Sequence, residues 1–125
     1  MKNEEKPLLP GGVTEEQMKE WEKKYGLRND FIKRGSLENL SKPGEKLYFY
    51  FRKPDKNIIA LALARGEEGG KKTPLKSGDI FRQNCLLFAE EELTNSALFK
   101  GEYEIGMAKI IGDAFPIPDG EIEKI

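Results

Sequence analysis

The stretch that decides the fold is 47-LYFYFRKPDKNIIALALARG-66. Leu47 to Phe51 are residues of high strand propensity. They run into Arg52-Lys53-Pro54-Asp55 and then into a segment rich in Ala, Leu and Ile. Pro54 stops the strand because it has no amide to donate to a ladder. Asp55 has the type and position of an N-cap, whose carboxylate accepts the otherwise unpaired amide of Asn57 or Ile58. Ile58, Ile59, Leu61, Ala62 and Leu63 continue as a helix apolar around much of its circumference, which implies burial. Arg65 and Gly66 suit its end. The segment reads as a strand-to-helix corner with Arg52, Pro54 and Asp55 as its structural residues. Arg52 and Lys53 could instead meet an acidic partner, but closing an edge strand is the simpler role for two cations there.

Working outward, 13-VTEEQMKEWEKKYG-26 carries a complete helix signature. Thr14 and Gln17 have capping-box spacing, with Val13 and Met18 as the hydrophobic staple. Glu15 and Glu16 suit the positive end of the helix dipole, and Lys23 and Lys24 the negative end. Gly26 is the expected stop. Met18, Trp21 and Tyr25 fall on one stripe, which packs on the same domain or docks on another protein. Between the two segments, Phe31-Ile32 begins a strand and Pro43-Gly44 marks a turn before Leu47. The aromatic run 47–51 predicts cover on both faces of its strand.

Beyond Gly66, "EEGGKK" reads as a loop, and a helix with proline in its first turn starts near Thr73-Pro74 and runs to Cys85-Leu86-Leu87. "AEEELTNS" is a polar break or a short turn of helix. From Ser96 to Gly112 Phe99, Tyr103, Met107 and Ile110 recur at helical spacing. Gly101, Gly106 and Gly112 weaken that helix but permit close packing. "FPIP" stops it. The expected fold class is α+β: a small antiparallel hairpin or sheet packed with three to four helices. Residues 1–12 read as a flexible N-terminal arm and 13–125 as a single domain.

The chain has 125 residues, enough to bury a modest core without metals or disulfides. Twenty-one cations against 22 anions leave a net charge of −1, which gives no global attraction to nucleic acid. No apolar run is long enough to span a bilayer, and no signal-peptide core precedes the first helix. A lone cysteine, Cys85, excludes an intramolecular disulfide and suits a reducing, cytoplasmic setting.

There is no histidine, so Ser-His-Asp and Cys-His mechanisms cannot be built within one chain. Cys85, flanked by apolar residues, reads as a small buried side chain rather than a reactive thiolate. Glu90-Glu91-Glu92 point in different directions on a helix and lack calcium-loop geometry, so they read as a solvated face. No phosphate loop is present. The expectation is a non-enzymatic protein with no cofactor and no metal.

The order of these pieces resembles small proteins of phage and prophage tail gene clusters of Bacteroidetes type, and more distantly the tail assembly chaperones. The matching stretches are "TEEQMKEWEKKYG", "YFYFRKPDKNIIALALA", "PLKSGDIFRQNC" and "EEELTNSALF", covering roughly residues 14–112. In that group a strand ends in an Arg-x-Pro step before a helix. A later helix ends at a cysteine, and an acidic segment leads into the final helix. Phe51-Arg52-Lys53-Pro54, Cys85 and Glu92-Leu93 occupy those places. The resemblance implies a host-cytoplasmic chaperone that binds the tape measure protein during tail assembly. The alternative is a structural virion component such as a neck, connector or minor capsid-associated protein. Trp21, Tyr25, Phe99 and Tyr103 are the expected partner-binding aromatics, since rings give large contact area at low entropy cost. Self-association through the edge of the Leu47–Phe51 strand is a further expectation, with no nucleic acid or membrane partner.

Overall fold

The computed structural model describes residues 8–25, 31–66, 74–115 and 120–124. The helix signature at residues 13–26 forms α1 (Glu15–Tyr25). Its first turn is capped as expected, the Gln17 amide donating to Thr14 Oγ1 at 3.1 Å. Gly26 lies outside the described residues. The chain then forms β1 (Ile32–Glu38) and β2 (Lys46–Arg52), an antiparallel hairpin with Gly35 opposite Phe49. Asn39 builds the connecting loop: its side-chain oxygen accepts the amides of Ser41 and Lys42 at 3.0 and 3.1 Å.

Past the Pro54 corner come α2 (Lys56–Gly66), α3 (Pro74–Cys85), β3 (Leu86–Ala89), α4 (Glu91–Asn95) and α5 (Lys100–Ala114). The sheet is antiparallel in the order β1-β2-β3. The class is α+β as expected, with five α-helices among the described residues; the extra one is the five-residue α4.

Alternation along β2 makes two cores. Leu47, Phe49 and Phe51 point to one side and pack with Cys85, Leu93, Tyr103, Met107 and Ile111. Tyr50 points to the other and packs with Val13, Trp21 and Ile32. The sheet is thus the middle layer, between α1 on one face and the α3–α5 layer on the other. α3 packs between α5 and α2, and α2 meets the rest of the body mainly through α3. Gly35 exists for this arrangement, because the Phe49 ring lies across the place where a Cβ would stand.

Several expectations change. β2 is the central strand, so it offers no edge; β1 and β3 flank it. The helix at 74–87 ends at Cys85, and Leu86–Ala89 is a strand instead. A continuous apolar run such as "CLLFA" does not declare its period, and the exposed ladder groups of β2 claimed it. A bulge opposite Tyr50-Phe51 brings consecutive Leu87 and Phe88 to the α1 core, while Leu86 and Ala89 join the other. The last helix begins at Lys100, not Ser96, whose Oγ accepts the Phe99 amide at 3.1 Å in the preceding turn. α2 is not buried around its circumference: Leu61 and Leu63 are 44% and 48% exposed.

The expected N-terminal arm is docked from Leu9 onward, while Leu8 is exposed. Leu9 and Val13 bridge across a tight turn at Pro10–Gly12, where Gly11 and Gly12 take φ of 86° and 87°. Tyr50 Oη donates to the Pro10 carbonyl at 2.7 Å and holds the turn on the sheet. Residues 1–7, the "EEGGKK" loop and the prolines of "FPIP" lie outside the described residues.

Candidate functional site

The Arg52-Pro54-Asp55 corner is tied down on every side. Asp55 Oδ1 accepts the Ile58 amide at 2.9 Å, the expected cap of α2. Pro54 is buried, and the Lys53 amide still reaches the Phe31 carbonyl at 2.8 Å to close the hairpin. The Arg52 guanidinium lies 4.4 Å from the centre of the Tyr25 ring and donates to the Asn84 carbonyl at 3.1 Å. One side chain thus joins the ends of α1, β2 and α3. Its Nε is buried without a hydrogen-bond partner among the described residues.

The four aromatics expected at a partner surface do not converge. Trp21 is 8% exposed, its ring 5.8 Å from that of Tyr50, beneath α1. Tyr103 is 2% exposed on the opposite side of the sheet, and its hydroxyl accepts the Leu40 amide at 3.0 Å. Tyr25 and Phe99 are half-buried beside Arg52 and Tyr103 respectively. Trp21 and Tyr103 are therefore interior residues, and Trp21 follows the packing reading of its stripe.

Cys85 is fully buried, and burial is the main cause that pushes its thiol up from 9.0 to about 11. Arg52 opposes the rise and Asp55 adds to it. A thiol so held is not a nucleophile at neutral pH. The acidic run is partly structural. Glu90 pairs with Tyr48 twice: its amide donates to the Tyr48 carbonyl at 3.1 Å and its carboxylate accepts the Tyr48 amide at 2.6 Å. Glu92 accepts the Ser41 hydroxyl at 3.1 Å. The run is thus only in part the solvated face expected from sequence. The backbone partner of Glu90 was hidden in the sequence because it depends on β3, a strand absent from the apolar pattern. Among the described residues no three His, Cys, Asp or Glu side chains group as metal ligands, and no helix is long and apolar enough to cross a membrane.

Open clefts also mark the surface formed by the described residues. A groove of about 620 Å³ lies between α1 and β1, lined by Leu9, Met18, Lys19, Ile32 and Arg34 among others. A second of about 410 Å³ runs along α3 and α5 past Lys76, Asp79, Glu104 and Ile105. Arg82 donates to Asp79 from Nη2 at 2.7 Å and approaches Glu104 at 4.0 Å. On the helical layer, Leu61 and Leu63 of α2 and Ile105 of α5 stay about half-exposed, and Leu98 before α5 is 79% exposed. Both clefts are lined by lysines and carboxylates beside apolar side chains. A scan of protein-family models, a search of curated proteins and a search of solved structures each return no match.

Proposed function

We propose that this chain is a binding protein without catalytic activity, and specifically a tail assembly chaperone that holds the tape measure protein soluble before the tail tube closes around it. The observation that carries the reading is α2. This helix has more apolar surface than its packing against α3 covers, and Leu61 and Leu63 flank the buried Ala62 on its two sides. Exposed apolar side chains on a peripheral helix suit reversible contact with long amphipathic helices. The partner in this proposal comes from the resemblance of the sequence to tail-cluster proteins.

The test starts from the neighbouring genes, where a tape-measure-sized reading frame is expected, and co-expresses its product with this chain. The partner is expected to be soluble only when this chain is present. Leu61→Asp with Leu63→Asp, at exposed positions, should keep the fold and lose the effect. Equal solubility with and without the chain overturns the chaperone reading. Recovery of the chain from purified particles in fixed copy number also overturns it, in favour of a structural component.

A further inference from the structure

The two flanks of the sheet are unequal. β3 has only four residues, is bulged, and is followed by Glu90, whose side chain extends the pairing with Tyr48. β1 has seven residues and, among the described residues, pairs only with β2. The hydrogen bonds from Lys53 N to Phe31 O and from Asn39 N to Glu45 O set its parity: odd-numbered residues exchange bonds with β2. Ile32, Arg34, Ser36 and Glu38 therefore turn their amides and carbonyls away from β2. Among the described residues no other backbone group meets them. α5 packs against β1 through Leu37 and Gly106 on one face, and the groove beneath α1 stays open on the other. Among the described residues, none pairs with the edge itself.

An edge of this length invites pairing, and its charges decide with what. Arg34 and Glu38 are both exposed and lie symmetrically about Ser36. We propose that β1 pairs antiparallel with β1 of a second copy, about a twofold axis normal to the sheet at Ser36, to make one continuous six-stranded sheet. In this register Ser36 faces its own counterpart, and Arg34 lies opposite Glu38 of the partner subunit, once on each side. The outward groups of these pairs meet in register and form about six backbone hydrogen bonds.

Neighbouring registers are worse. Centring on Gly35 sets Glu38 against Ile32, centring on Arg34 opposes two cations, and centring on Glu38 opposes two anions. Opposite charges directly across a strand pair are favourable and like charges are not. The Ser36 register also brings Leu40, 41% exposed at the end of β1, beside Ile32 of the partner subunit. Because the axis is normal to the sheet, both α1 helices lie on one face and both α3–α5 layers on the other. The pairing is independent of the proposed function.

The test is sedimentation equilibrium of the full chain across the micromolar to millimolar range. The expected result is a monomer–dimer equilibrium. Glu38→Arg sets Arg34 of the partner subunit against a cation and should raise the dimer Kd at least about tenfold. Arg34→Glu should do the same, and the double exchange should restore dimerisation. Ser36→Pro should abolish the dimer, because it removes only an outward-facing amide; its circular dichroism reports whether the fold is kept. A monomer at all concentrations overturns the proposal and leaves the edge to a strand of another protein. A dimer unaffected by either single charge reversal also overturns it, since the interface must then lie elsewhere.

Discussion

Gly78 of α3 lies against Ala108 of α5, so closely that a Cβ at residue 78 would collide with the Ala108 carbonyl oxygen. One turn further along α5, a Cβ on Gly112 would stand 3.3 Å from Gly78 Cα. The two helices touch backbone to backbone there. Gly78→Ala would gain helix propensity of about 1 kcal/mol but must force the helices apart, at about 1–3 kcal/mol. The expected outcome is a net loss of stability in denaturant unfolding. Gly101→Ala is the control: nothing lies within 4 Å of its would-be Cβ, and it should stabilise by about 0.5 kcal/mol.

The cap at the corner gives a second prediction. Asp55→Ala removes the acceptor of the Ile58 amide and should cost about 1 kcal/mol of stability. Asp55→Asn keeps an acceptor oxygen and should recover most of that loss. An unchanged unfolding midpoint in Asp55→Ala would remove the structural account of this residue.

Cys85 makes stability depend on pH at the alkaline end. Its thiol is held up at about 11 in the folded chain, against an ordinary 9.0. The folded state keeps the proton more tightly, so this contribution is complete below pH 9 and is lost as pH rises towards 11. Thermal unfolding measured across that window should fall more steeply in the native chain than in Cys85→Ala. At neutral pH a thiol reagent should modify Cys85 only after unfolding.

Tyr103 serves the β1–β2 loop from across the core. Its hydroxyl is the acceptor for the Leu40 amide, while Asn39 organises the residues that follow. Tyr103→Phe leaves that amide without its acceptor and should cost about 1–3 kcal/mol. Hydrogen exchange should show Leu40 losing protection while the α1 core keeps it. A uniform change across the protein would point to general loosening of the core instead.

What was legible from sequence was local. Thr14 with Gln17, Pro54 with Asp55, and the aromatic run 47–51 each act through neighbours a few residues away, and each formed the expected element. The expectation that both faces of that strand are covered also holds, with Phe49 and Tyr50 both nearly inaccessible on opposite sides. The candidate site was less legible. Periodicity marks Trp21 and Tyr103 as one-sided aromatics but cannot say whether that side meets this chain or another.

By itself, then, the sequence determined the caps, the corner, the hairpin turn and the amphipathic first helix, because capping, proline and alternation work over short chain distances. Only the tertiary structure decided that β2 is central, that Leu86–Ala89 is a strand, and that α2 keeps Leu61 and Leu63 in solvent. Those outcomes depend on which surfaces meet across long separations. Gly78 against Ala108 and Glu90 against Tyr48 settle such meetings through backbone contacts that no residue pattern announces.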